Sequence, residues 1–168
     1  MTYRPLEIDR ETAFVVADSE PYGVWKAVQN VCEDVEDVIG VRPGVAASPK
    51  GARSLCILVE SAGEWARRLG LADLIHEPET FLIRRVRLDG RDAVLISGNG
   101  ERGAIYGAYH FSEMQLGADP LKFWTGYRPA RRRRALLKRL DYVSPRPTFR
   151  FRGFFLEGCE VFAKWRSP

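Results

Sequence analysis

Cysteine is scarce in this 168-residue chain: Cys32, Cys56 and Cys159 stand alone, with no Cys-x-x-Cys pair. Histidine is scarcer still, with only His76 and His110 on different predicted elements. A structural zinc needs four Cys or His ligands in close sequence pairs, so no metal site is expected. Neither histidine has a Ser, Cys or acidic neighbour at a catalytic spacing, which leaves both as exposed or satisfied structural side chains. Three dispersed cysteines also argue for buried free thiols rather than disulfides, which favours a reducing, cytoplasmic compartment over export. No run of about 18 apolar residues exists, so no membrane span is expected. The first ten residues carry Arg4, Glu7, Asp9 and Arg10 in place of an apolar stretch, so no secretory leader is expected either. Internal repeats and low-complexity segments are lacking too.

What is present is the composition of an ordinary globular protein, 45% apolar and 29% charged. A chain of this length buries roughly 70% of its unfolded surface and needs no staples. The net charge of +4 is a local matter. Arg131, Arg132, Arg133 and Arg134, with Lys138 and Arg139, put six positive charges into nine residues, so the remainder is slightly acidic. Clustered arginine is the electrostatic footprint of phosphate binding, and Trp124 and Tyr127 nearby are of a type that stacks on bases or sugars. That makes a stand-alone binding module for nucleic acid or acidic glycan the alternative reading. No helix-turn-helix, zinc-finger or RNA-binding signature accompanies the run, and a solvated connector is the preferred one.

Along the chain, residues 6–8 and 13–17 read as short strands around a polar turn. Asp18 or Ser19 can cap the next helix, with Pro21 in its first turn. Val24, Val28, Val31, Val35 and Val38 recur at spacings of three and four, joined by Trp25, Cys32 and Ile39, and Gly40 closes the helix. Residues 54–59 form an apolar run suited to a strand covered on both faces. Residues 65–74 read as a short helix. Residues 81–88 and 91–97 flank Asp89-Gly90, a strong hairpin signal. A helix over 100–116 follows. The predicted fold is α+β: a mixed sheet of about four to six strands with helices packed mainly on one face.

The passage from Val94 to Tyr109 reads VLISGNGERGAIYGAY, a strand, a glycine-rich turn and a helix. Its spacing imitates a dinucleotide-binding turn. That fingerprint requires a parallel β-α-β unit and an acidic residue about 20 positions on. Here the strand is the second arm of a hairpin, Asp119 falls in a loop, and Glu101 already supplies negative charge to the first helical turn. No Gly-Lys-Ser/Thr of a phosphate-binding loop follows. The glycines are therefore read as a tight turn and a close helix–sheet contact, with Ile105, Ala108, Phe111 and Leu116 as the buried stripe and Ser112 at its margin. No cofactor is expected.

Residues 97–107, SGNGERGAIYG, followed by Ser112-Glu113 and Leu116-Gly117, resemble the region closing the N-terminal domain of glycoside hydrolase family 115. Members of that family are xylan α-glucuronidases. Phe123-Trp124 stands where their tryptophan-bearing segment lies. The segment from Pro147 to Gly153, of the form Pro-x-Phe-Arg-x-Arg-Gly, resembles the entry into their catalytic barrel. A looser likeness extends to the second domains of hexosaminidase-type and family 67 glycosidases.

The resemblance implies a bacterial, non-catalytic α+β accessory domain over residues 1–128. It implies a basic, proline-punctuated connector over 129–147, and the first strand of a truncated (β/α)8 barrel over 148–168. Carbohydrate would be bound by the barrel, and this chain alone is expected to be inactive. Where the family carries Asn-Asp-Glu at the end of that strand, this chain has Glu157-Gly158-Cys159-Glu160, which makes Glu157 and Glu160 weak catalytic candidates. Trp124 and Tyr127 are weak substrate-binding candidates, with packing at the junction between domain and barrel as the plainer role. An unpaired strand at 148–156 would also favour self-association.

Overall fold

The computed structural model describes residues 5–50 and 54–153. Chain order runs β1 (Leu6–Ile8), β2 (Ala13–Val15), α1 (Tyr22–Ile39), β3 (Gly44–Ala46), β4 (Cys56–Glu60), α2 (Glu64–Arg68), a 3-10 turn (Ala72–Ile75), β5 (Phe81–Leu88), β6 (Arg91–Gly98), α3 (Glu101–Leu116), α4 (Lys122–Thr125), β7 (Ala135–Leu137) and β8 (Asp141–Val143). Six strands make the main sheet in the order β3-β2-β4-β6-β5-β8. The first four lie parallel, and β5 runs antiparallel to both of its neighbours. Because β6 pairs parallel with β4 and antiparallel with its hairpin partner, the sheet around the glycine-rich turn is mixed.

Strand alternation divides the core into two layers. Phe14, Ile57, Val59, Ile83, Val94 and Ile96 meet the valine stripe of α1 and the buried stripe of α3 on one face. Leu58, Leu82, Ala93 and Leu95 meet Ala66 and Ile75 on the other. The two long helices thus share one face, and only short helical segments cover the second, so the fold is the expected α+β arrangement. Five valines make α1 a weak helix in isolation. Its Val24, Val28, Val31, Val35 and Val38 are all essentially buried, and that packing holds it. Phe14 and Phe111 lock sheet to helix edge-on, with ring centroids 6.3 Å apart.

Several local expectations change. Neither Asp18 nor Ser19 caps α1, whose N-cap position is Pro21 with no side-chain hydrogen bond. The acidic side chain nearby has other work: the Glu20 carboxylate accepts from the Ser61 amide at 2.9 Å and its hydroxyl at 2.5 Å, tying the end of β2 to the end of β4. The helix expected over 65–74 is split, because Gly70 turns left-handed (φ 68°) between α2 and the 3-10 turn. Strands β1 and β2 do not pair with each other. β1 pairs antiparallel with β7 in a separate ribbon, so residues inside the basic stretch return to the start of the chain. Likewise β8 pairs with β5 over Leu82↔Val143 to Arg84↔Asp141.

The strand expected over 148–156 falls partly outside the described residues. Residues 148–153 are irregular, with no ladder partner among the described residues, and a strand cannot persist without one. The Asp89-Gly90 hairpin turn has positive φ at both positions, 47° and 77°, as its sequence predicts.

Candidate functional site

The glycine-rich turn is a close-packing device in atomic detail. A Cβ on Gly98 would stand 1.9 Å from the Ala104 amide nitrogen, and one on Gly103 would stand 2.6 Å from the Thr80 carbonyl oxygen. One on Gly107 would meet Ile96 Cγ2 at 2.8 Å. Gly100 supplies the left-handed φ of 83° from which α3 starts. The surrounding polar groups are used internally. The Asn99 amide donates to Thr80 O at 2.8 Å and the Gly100 amide to Ser61 O at 3.3 Å. The Asn99 side chain donates to the carbonyls of His76 and Glu77 at 2.9 and 3.0 Å.

Beyond the turn lies a charged cluster that sequence reading did not single out. Glu79, a non-glycine residue at φ 63°, offers its carboxylate to Arg102 Nη1 at 3.0 Å and to Arg152 Nη2. Tyr106, one turn along α3, accepts at its hydroxyl from Arg102 Nη2 at 3.1 Å and from Arg152 Nη2 at 3.4 Å. Both guanidiniums also lie near its ring, 5.9 and 5.4 Å from the centroid. The hydrogen bond from Arg102 leads in drawing the phenol pKa below its usual value, and Arg152 adds to it. Arg146 reaches Glu77 at 3.6 Å. Ser144 and Phe81 exchange two bonds: the Phe81 amide donates to Ser144 Oγ at 2.9 Å, and the Ser144 amide donates to Phe81 O at 2.8 Å. The segment over 144–152 is therefore fastened along the β5 edge and the start of α3.

A second polar centre sits inside the helical layer. Asp34 of α1 is almost fully buried, accepts from Ser112 Oγ of α3 at 2.6 Å, and pairs with the Lys122 ammonium of α4. Beside it a groove of about 540 Å³ is lined by Asn30, Tyr109, His110, Glu113, Pro120 and Lys122. His110 stacks on Tyr142 at 4.5 Å and lies 5.5 Å from Phe81, a structural role. His76 is anchored to Asp73 O at 3.0 Å.

The predicted site residues are not brought together. Glu157 and Glu160 lie outside the described residues, as does Cys159. Trp124 belongs to α4, and its side chain lies outside the described part of the structure. Tyr127 follows α4 and is half-exposed. Within the basic run, Arg132 donates to Leu116 O at the end of α3, and its amide donates to Val38 O at the end of α1 at 2.8 Å. Arg134 pairs with Glu7 at 3.6 Å. The Gln115 side-chain amide donates through Nε2 to Lys138 O at 2.8 Å and accepts at Oε1 from the Lys138 backbone amide at 2.9 Å. Part of the run thus serves the fold's own seams. Among the described residues no group of three His, Cys, Asp or Glu is placed to hold a metal, and no helix is long and apolar enough to cross a membrane. Burial pushes the Cys32 thiol up to about 12 and raises that of Cys56.

The fold is an α+β domain in which a mixed sheet carries two long helices on one face and a glycine-rich strand-to-helix turn leads into the second of them. The family described as glycosyl hydrolase family 67 N-terminus matches residues 4–111, well over half of the chain, and the chain belongs to it. The sequence resemblance put family 115 first and family 67 second; the profile match is to the second. The structural likeness falls on the first. A family 115 4-O-methyl-α-glucuronidase, described as having specificity for decorated arabinogalactans, shares the fold at a TM-score of 0.64 and 18% identity. The likeness covers 83% of this chain and 18% of that one. A β-N-acetylhexosaminidase from Streptomyces coelicolor A3(2) is similar at a TM-score of 0.42 and 18% identity, over 67% of this chain and 18% of that one. No curated protein sequence matches. The chain thus spans under a fifth of the length of the solved relatives it resembles.

Proposed function

We propose that this chain is the non-catalytic N-terminal domain of a glycoside hydrolase acting on polysaccharide or its side chains, and that it braces a catalytic barrel following it. The observation that carries this reading is the path of residues 129–152. They are threaded through the fold by β7, β8 and the Arg152 contacts, so that a unit attached beyond them would be held at a defined place rather than on a loose tether. Glycoside hydrolysis uses two carboxylates facing each other across the sugar, about 5–10 Å apart. Here Glu79 and Asp34 are each engaged by a cation. The family 115 likeness makes uronic-acid side chains the first substrates to test. Sequencing the coding DNA past codon 168 tests the arrangement. The expected result is an open frame encoding alternating strands and helices. A stop codon at that point overturns it.

A further inference from the structure

We propose that Glu79, Arg102 and Tyr106 form a built-in receptor for the Arg152 guanidinium, locking the segment over 144–152 to the domain as a strap and fixing the direction in which the chain runs on. The direction matters because of the bracing role proposed above, but the lock itself is a property of this chain alone.

The two stretches that carry the family resemblance meet here. Arg102 and Tyr106 belong to the glycine-rich turn and its helix, and Arg152 belongs to the Pro-x-Phe-Arg-x-Arg-Gly segment. They are 50 and 46 residues away from it in sequence, yet its Nη2 reaches both Glu79 and the Tyr106 hydroxyl. The geometry is that of a socket with one acceptor of each kind. The carboxylate of Glu79 is shared by two guanidiniums, and the Tyr106 hydroxyl accepts from the same two. Two cations against one carboxylate leave excess positive charge, which the ring face and the phenolic oxygen absorb.

Two further features show that the socket is built rather than incidental. Glu79 holds a left-handed backbone, a conformation costly for a residue with a Cβ, and its amide donates to Asn99 O at 3.2 Å, inside the glycine-rich turn itself. The strap is secured independently upstream, by the paired Ser144–Phe81 bonds and by Arg146 on Glu77. Arg152 is thus delivered to the socket by a segment already aligned on the β5 edge. Glu79 and Tyr106 act here as positioning residues. Phe149 and Phe151 are 70% and 84% exposed on the strap, and the Arg150 guanidinium lies 5.4 Å from the Phe151 ring centroid.

The test uses the 168-residue chain. Backbone 15N relaxation in the parent is expected to give order parameters near the rigid value of about 0.85 over 149–152, falling below about 0.6 in Glu79→Gln while β5 and α3 stay rigid. The Tyr106 ionisation, isolated by subtracting the ultraviolet titration of Tyr106→Phe, is expected to move to higher pH in Arg152→Gln. It is expected to stay near the parent midpoint in Arg152→Lys, which keeps the charge. A strap already flexible in the parent overturns the proposal, and so does a Tyr106 midpoint unmoved by Arg152→Gln. Both readouts are indifferent to whether a barrel follows, so failure of the lock and failure of the bracing role are separate results.

Discussion

Gly98 shows how narrowly a single position can be specified. A methyl group there would overlap the Ala104 amide and the Gly103 carbonyl carbon, both backbone, so no side-chain rotation relieves it. Gly98→Ala is expected to cost at least about 3 kcal/mol in urea unfolding. Gly153→Ala, with nothing within 4 Å of the added methyl, is expected to stay within about 0.5 kcal/mol of the parent. The thiols give a second expectation. With Cys32 and Cys56 buried and their ionisation pushed up by desolvation, a Cys159→Ser chain should show no reaction with a disulfide reagent at about pH 8 until it unfolds, then two thiols. A native chain that reacts promptly contradicts the packing described. The glycines were legible in the sequence because spacing and flanking strand and helix signals agree. Glu79 was not, since nothing in Pro78-Glu79-Thr80 announces a left-handed residue or a socket. Asp34 was legible in principle: it stands three residues after Val31, on the buried stripe of a helix, where an acid demands a partner.

Among the elements, α1, α3 and α4 meet through that acid. The almost fully buried Asp34 carboxylate holds both the Ser112 hydroxyl and the Lys122 ammonium, so Asp34→Ala is expected to destabilise by about 3–5 kcal/mol. The double change Asp34→Leu with Lys122→Met is expected to recover most of it, as measured by thermal or urea unfolding. At the hairpin, Asp92 accepts from Arg85 Nη2 at 2.6 Å and from its Nε at 3.1 Å. That hydrogen bond holds the Asp92 carboxyl below its usual 3.8. A carboxyl depressed in the folded state contributes stability above its unfolded pKa and loses it as pH falls through the folded value. Stability is therefore expected to decline from about pH 4 downward, and Asp92→Asn should flatten that decline. The long elements were readable because each offers several periods of its pattern. β3, β7 and β8 span three residues each, too short for any period, and the pairing partners of β7 and β8 lie far back in the sequence. The basic run hid them further, since its charge argues for solvent while Ala135 and Leu137 are buried.

For the whole molecule, the sheet, the helical layer and the threaded basic stretch make a unit whose own polar groups are largely engaged with one another, and whose exposed apolar side chains include Phe149 and Phe151 on the strap. Sedimentation of the chain alone is expected to show concentration-dependent self-association that Phe149→Ser with Phe151→Ser abolishes. A monomer at all concentrations contradicts that expectation. The central claim is that the chain is the non-catalytic companion of a glycosidase barrel. Incubation of the purified 168-residue chain with glucuronoxylan and aryl α-glucuronides tests it most directly. The account predicts no release of uronic acid above a protein-free control; release that follows the chain through purification would contradict it.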